Sequence, residues 1–402
     1  MEHNIYLVTI LLSALVILSY LFLIISKRTK IPTVLMLIFT GVVIKQFLFA
    51  FDIEINISRG FIEFIGIIGL IMIVLEAGLE LRYSKPKKKL IKSAFLSSLF
   101  ALLLSVVGIA FLLNWQLGQS WVSSFVYAVP LSVMSSAIII SSSKNLTEVK
   151  REFLTYESSF SDIMGILLFD YFITTSVFSL QSLIPVAVGI TFAIFLSIIF
   201  SIILVWVLSR STINIKFYLM FATLFLLYST GKLFHLPALL IMLIFGLLLN
   251  NWSKVKHDYL KSLVPNETIS ETRNLLKQIT TETAFLVRTL FFVLFGYSIQ
   301  LQGLLSREVI VTGTLIVIIL YFVRYMYLKL FVTQHVIPEL FYAPRGLVTI
   351  LLFYSIPDEF KLGQFNDGII FYVIIITSLV MMIGAMFLTP KEAHDPKVLQ
   401  ES

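Results

Sequence analysis

Cysteine is absent from the 402 residues, which excludes disulfides, thiolate metal sites and thiol catalysis. Charge is scarce: Asp, Glu, Lys and Arg make up 13% of the chain, against roughly 25% in a soluble domain. The five histidines fall in loops, at chain ends or near the ends of apolar segments, so nothing supports a histidine relay or a metal cluster. What remains is 58% hydrophobic, with a mean hydropathy of +0.97. That composition belongs to a polytopic membrane protein. The net charge of +7 would suit nucleic acid, but Lys and Arg sit in short runs between apolar segments, where they set membrane topology instead.

Thirteen apolar segments run near residues 5–26, 31–50, 60–81, 90–114, 121–143, 156–178, 182–209, 215–234, 237–250, 279–300, 307–332, 344–356 and 366–388. Most reach the roughly 20 residues a spanning helix needs. The first lacks a basic region before it and reads as a retained span rather than a signal peptide. Residues 1–390 thus form one all-α membrane domain, with 391–402 a short cytoplasmic tail. The longest connection, 251–278, reads as a linker.

Lys27-Arg28-Thr29-Lys30, Lys85 to Lys89, Lys144 to Arg151, Arg210 to Lys216 and Lys254 to Lys277 occupy every second connection. The connections between them, such as Asn114 to Gln119, are poor in Lys and Arg. The positive-inside rule puts the N-terminus outside and the C-terminus in the cytoplasm. Six spans, one linking span and six more make the second half enter the membrane inverted relative to the first. The fifth span contains Pro130 and then Met134-Ser135-Ser136-Ala137; the twelfth is short and opens with Pro344-Arg345-Gly346. Interrupted segments at corresponding positions of two halves point to a transporter binding site, because broken helices offer backbone dipoles at the membrane midplane.

The sixth span carries two carboxylates in Tyr156-Glu157-Ser158-Ser159-Phe160-Ser161-Asp162. A carboxylate at the bilayer centre costs about 2.5–3.5 kcal/mol on insertion scales, and such groups mark ion pathways, proton relays or buried ion pairs. Asp162 lies about six residues into the span. It shares a helix face with Ser158, Glu157 shares one with Ser161, and the resulting oxygen-rich surface suits a hard cation such as Na+. The plainer reading has both carboxylates neutralised by arginines and serving only packing.

Arg324 lies inside the eleventh span and needs an acidic partner, Glu157 or Asp162. The carboxylate left without one is free to exchange a proton for a cation. Arg288 and Arg345 raise the same question. Asp170 reads equally as a second relay carboxylate or as a locally hydrogen-bonded Asp, and Glu76 stands near the cytoplasmic end of the third span. Lys45, Lys232 and Lys329 are long enough to snorkel to an interface.

The run from Glu157 to Asp162 resembles the Glu-Ser-x-x-Asn-Asp signature of the cation/proton antiporter superfamily, in its electroneutral sodium/proton exchanger branch. Leu75-Glu76-Ala77-Gly78, Arg324 and Arg345-Gly346 are similar to further elements of that branch, in order and in span. The resemblance implies two inverted six-helix repeats, with spans 5 and 12 discontinuous and span 7 linking them. It implies a homodimer in a prokaryotic plasma membrane, working in pH homeostasis. It makes Asp162 the carboxylate that binds Na+ or H+, with oxygens from Ser135 and Ser136 of the broken fifth span beside the Ser158 and Ser161 hydroxyls of its own helix, and Glu76 an accessory acid. It makes Glu157 and Arg324 a structural ion pair. Ser161 departs from the pattern: the family usually has Asn there, and electrogenic relatives have Asp.

These readings converge on secondary transport by alternating access. Asp162 takes one proton or one monovalent cation, Na+ or Li+, in 1:1 electroneutral exchange, without a resident cofactor or enzymatic chemistry. A K+/H+ exchanger is the nearest alternative, and a passive cation channel is the alternative from another class.

Overall fold

The computed structural model describes residues 2–50, 59–80, 86–118, 120–143, 146–174, 183–210, 217–233, 238–252, 266–299, 301–304, 306–331, 337–363 and 365–387. The expected tail, 391–402, and residues 253–265 of the expected linker lie outside them. The described residues are α-helical, with two short 3-10 turns and no strand. The helices are α1 (Glu2–Thr29), α2 (Thr33–Ala50), α3 (Arg59–Glu80), α4 (Lys88–Leu117), α5 (Trp121–Ser132), α6 (Ser136–Ser142), α7 (Glu148–Thr174), α8 (Leu183–Arg210), α9 (Phe217–Leu233), α10 (Ala238–Asn251), α11 (Asn266–Ser298), α12 (Leu301–Leu304), α13 (Arg307–Phe331), α14 (Leu347–Tyr354) and α15 (Gly368–Phe387). With α5 and α6 taken as one interrupted span and the four-residue α12 set aside, they match the thirteen apolar segments one for one.

Among the described residues, six stretches are long and apolar enough to cross a membrane on length and composition: Thr33–Ala50, Lys88–Leu117, Trp121–Ser142, Arg273–Ser298, Arg307–Leu330 and Gly368–Phe387. The helix α7 is not among them. Glu157, Asp162 and Asp170 put three charges into its most apolar stretch, which is the same feature that singles it out for function.

Two boundaries differ from the sequence reading. The sixth span begins at Glu148, so Asp162 is the fifteenth of 27 helical residues and lies at mid-helix rather than six residues in. The tenth begins at Asn266, so 266–278 is helix and not linker. Both extensions are polar. Hydrophobicity marks where a helix leaves the hydrocarbon, whereas backbone hydrogen bonding carries the helix further into water.

The chain clusters into two compact units, one from Met1–Ile57, Lys89–Gly165 and Thr289–Ser402, the other from Ser58–Lys88 and Ile166–Arg288. In the second unit α10 packs against α3, α8 and α9. Its Ile241, Met242, Leu243 and Phe245 are all buried, so it forms the core of that unit. In the first unit α13 packs on α15, and α14 packs on α5. The helix α14 has eight residues, about 12 Å at 1.5 Å per residue, well short of a bilayer's roughly 30 Å hydrocarbon core. An irregular stretch, 342–346, precedes it.

Candidate functional site

The fifth span breaks at Val133–Ser135. Pro130 removes one helical donor, α5 ends at Ser132, and Val133 and Ser135 are extended (φ −67°, ψ 132° and φ −76°, ψ 111°) before α6 restarts the helix. Buried backbone groups at such a break need partners, and each N–H finds a different one. Val133 N–H donates to Val129 O at 3.3 Å, Ser135 N–H to Pro344 O at 2.9 Å, and Met134 N–H to Ser161 Oγ at 2.9 Å. Ser136 donates its N–H (3.3 Å) and its hydroxyl (2.5 Å) to the same oxygen, Asp162 Oδ2.

The freed carbonyls at the end of α5 are taken by Arg345. Its Nε donates to Leu131 O and its Nη2 to Ser132 O, both at 3.1 Å, while Nη1 donates to Ala343 O at 2.6 Å. Its backbone N–H goes to Thr377 Oγ1 at 3.1 Å. Arg345 thus ties the break before α14 to the break after α5. Gly346 lets the two irregular stretches approach: a Cβ there would lie 2.6 Å from Ser135 Oγ, 3.0 Å from Ser135 Cβ and 3.0 Å from Ile138 Cδ1. Gly165, one turn beyond Asp162, likewise lies against the Val133 side chain.

Asp162 is 5% exposed. Its Oδ1 is buried and has no hydrogen-bond partner, and among the described residues no cationic side chain pairs with it. Glu157, fully buried, is the opposite case. Arg324 grips it with two hydrogen bonds, Nη1 to Oε1 at 3.2 Å and Nη2 to Oε2 at 3.1 Å, the fork geometry that makes an arginine–carboxylate pair strong. Tyr327 (2.6 Å) and Ser97 (2.5 Å) donate their hydroxyls to Oε1. Arg324 also donates from Nε (3.0 Å) and Nη2 (2.8 Å) to Glu339 O. The Glu339 carboxylate in turn pairs with Lys150 at 3.0 Å.

The remaining candidates separate. Ser135 and Ser136 lie at the break, with only Ser136 bonded to Asp162. Ser161 accepts from Met134, and Ser158 donates back to its own helix, to Leu154 O at 2.8 Å, which leaves its lone pairs available to a ligand. Glu76 and Arg288, in the second unit, pair at 3.6 Å. Asp170 pairs with Lys232 at 3.3 Å, also in the second unit, so Lys232 reaches a carboxylate instead of snorkelling. Lys45 donates to Ile299 O at 2.7 Å, and Lys329 lies over the Tyr325 ring.

Tyr327, Ser97 and Glu339 are absent from the sequence reading. Tyr327 lies three residues after Arg324, on the same face, and that spacing was the one available signal. Ser97 and the Glu339 carbonyl left none.

A model of the sodium/hydrogen exchanger family, transmembrane, matches residues 12–390. The chain belongs to that family. No curated protein sequence matches the exchanger chain. In fold it is similar to the sodium proton antiporter MjNhaP1 from Methanocaldococcus jannaschii at pH 8, with a TM-score of 0.70 and 19% identity over 95% of this chain and 99% of that one. It is also similar to an electron-microscopy map of the same antiporter, with a TM-score of 0.68 and 19% identity over 94% of each chain. At that identity the likeness concerns the fold, and the thirteen-segment architecture of this exchanger is the one it shares.

Proposed function

We propose that the protein exchanges Na+ (or Li+) for H+ by alternating access, and that Asp162 is the exchanging carboxylate. One observation carries the reading: of two carboxylates buried in α7, Glu157 is neutralised by a two-pronged arginine, while Asp162 has a free oxygen and no fixed cation. An uncompensated buried carboxylate is costly. Either a proton or a small hard cation relieves that cost, and one excludes the other. Ser136 orients Oδ2 and leaves Oδ1 for the cargo; Ser158 and Ser161 supply further oxygens, with Ser135 beside them at the break.

Because Glu157 and Arg324 cancel, one charge exchanges for one charge, which supports 1:1 electroneutral transport. Family membership and the run of Lys and Arg along the chain support a plasma-membrane exchanger with its N-terminus outside, acting in pH homeostasis as a homodimer. Glu76, held by Arg288, serves as an accessory acid rather than as the exchanging group.

The test uses everted vesicles holding a pre-formed pH gradient, with Na+, Li+ or K+ added in turn. Dissipation by Na+ or Li+, lost in Asp162→Asn, is the expected result. A response to K+ alone would turn the reading to a K+/H+ exchanger. Exchange retained by Asp162→Asn would remove Asp162 from its role.

A further inference from the structure

A cavity of about 20 Å3 lies within the first unit, among α4, the α5–α6 break, α7, α13 and the stretch before α14. That is room for one water and little more. Its wall includes Ser98, Ser105, Ser161, Glu157, Arg324 and Arg345. Ser98, 2% exposed, has no hydrogen-bond partner for its Oγ. Ser161 accepts the Met134 N–H, which leaves its own proton to be donated. Arg345 engages three of its N–H groups with carbonyls, and a guanidinium carries five. Ser105, seven residues after Ser98, stands on the same face of α4.

The wall also decides what fits. Two guanidiniums oppose a cation. The Glu157 carboxylate opposes an anion, and Arg324 is already spent on Glu157 and on the Glu339 carbonyl. A neutral molecule with two protons and two lone pairs suits the groups present, since a buried water needs two to four polar partners.

We propose that a single water occupies this cavity, taking hydrogen bonds from Ser161 and Arg345 and giving one to Ser98. It completes the bonding of Ser161, and so holds the Met134 N–H and the break beside Asp162 in register. Ser98 is then a positioning residue. This consequence for transport rests on the exchange reading, whereas the water itself does not.

The first arm is a structure of the full chain at a resolution that shows ordered water. The expected result is a density peak about 2.6–3.2 Å from both Ser161 Oγ and Ser98 Oγ, displaced in Ser161→Asn, whose larger side chain fills the space. No peak, or a peak replaced by bromide on halide exchange, overturns the proposal. The second arm compares transport by Ser98→Ala with the parent. Losing one hydrogen bond to the bridge should raise the KM for the cation about two- to tenfold, with a smaller change in maximal rate. An unchanged KM overturns the positioning role. Absence of exchange in the parent protein would instead strike the transport reading, and the density would still decide the water.

Discussion

The fates of Glu157 and Asp162 follow from one difference, the reach of Arg324. Glu157 receives two guanidinium and two hydroxyl hydrogen bonds, so removing either partner strands a buried charge. Breaking such a pair costs about 3–5 kcal/mol, a large share of a typical stability. Arg324→Ala should therefore lose folded protein and lower the unfolding temperature in detergent, with Glu157→Gln milder because the amide still accepts from Tyr327. A well-folded Arg324→Ala variant with parental stability would contradict the pairing. The ions of this cluster were legible in the sequence because a charge in an apolar span has to be answered by another. Its hydroxyls were harder to see: Tyr327 and Ser97 cost little to embed in apolar surroundings, Tyr327 leaves only its helical spacing from Arg324 and Ser97 leaves no trace, and both gain meaning only when the fold brings α4 and α13 to α7. Glu339 was hidden for a different reason, since it acts on Arg324 through a backbone carbonyl, which any residue could supply.

At the scale of elements, the site is a meeting of two interrupted spans. Pro130 and the short segment after Pro344 announced both interruptions. How they are joined was not readable, because the joining bonds run from Ser135 to Pro344 and from Arg345 to Leu131 and Ser132, more than 200 residues apart in the chain. Arg345→Met would leave the carbonyls of Leu131 and Ser132 buried without donors, at about 1–3 kcal/mol each. It should lower thermal stability as well as transport. Close packing gives an independent check. Gly346→Ala puts a methyl group into Ser135 and against Ile138 Cδ1 and should destabilise the junction, and Ser135→Gly in the same chain should recover part of the loss by removing the Oγ and Cβ that are struck. If the double variant is as unstable as Gly346→Ala alone, the contact between the two breaks is not what limits stability.

For the whole molecule, the question is how many charges move per cycle. Of the two buried carboxylates Glu157 and Asp162, Asp162 is the one without a cationic partner among the described residues, and Ser161 adds no second titrating group beside it. Under the proposed mechanism the site carries one positive charge in each direction, as Na+ or as H+. In proteoliposomes, the exchange rate should not change when a potassium diffusion potential of either sign is imposed, whereas a second uncompensated charge would make it respond to zFΔψ, about 2.3 kcal/mol per 100 mV. The proposed single site also sets the sign of the pH dependence. If protons and Na+ compete for Asp162 as proposed, acidification should raise the apparent KM for Na+, approaching about tenfold per pH unit by mass action where the protonated form dominates. Saturating Na+ should restore the rate as long as the proton remains a competitor and nothing else. A slope steeper than tenfold per unit, together with a rate that follows the imposed potential, would require two protons per cation, and the second would have to reside on a carboxylate other than Glu157, which Arg324 already holds.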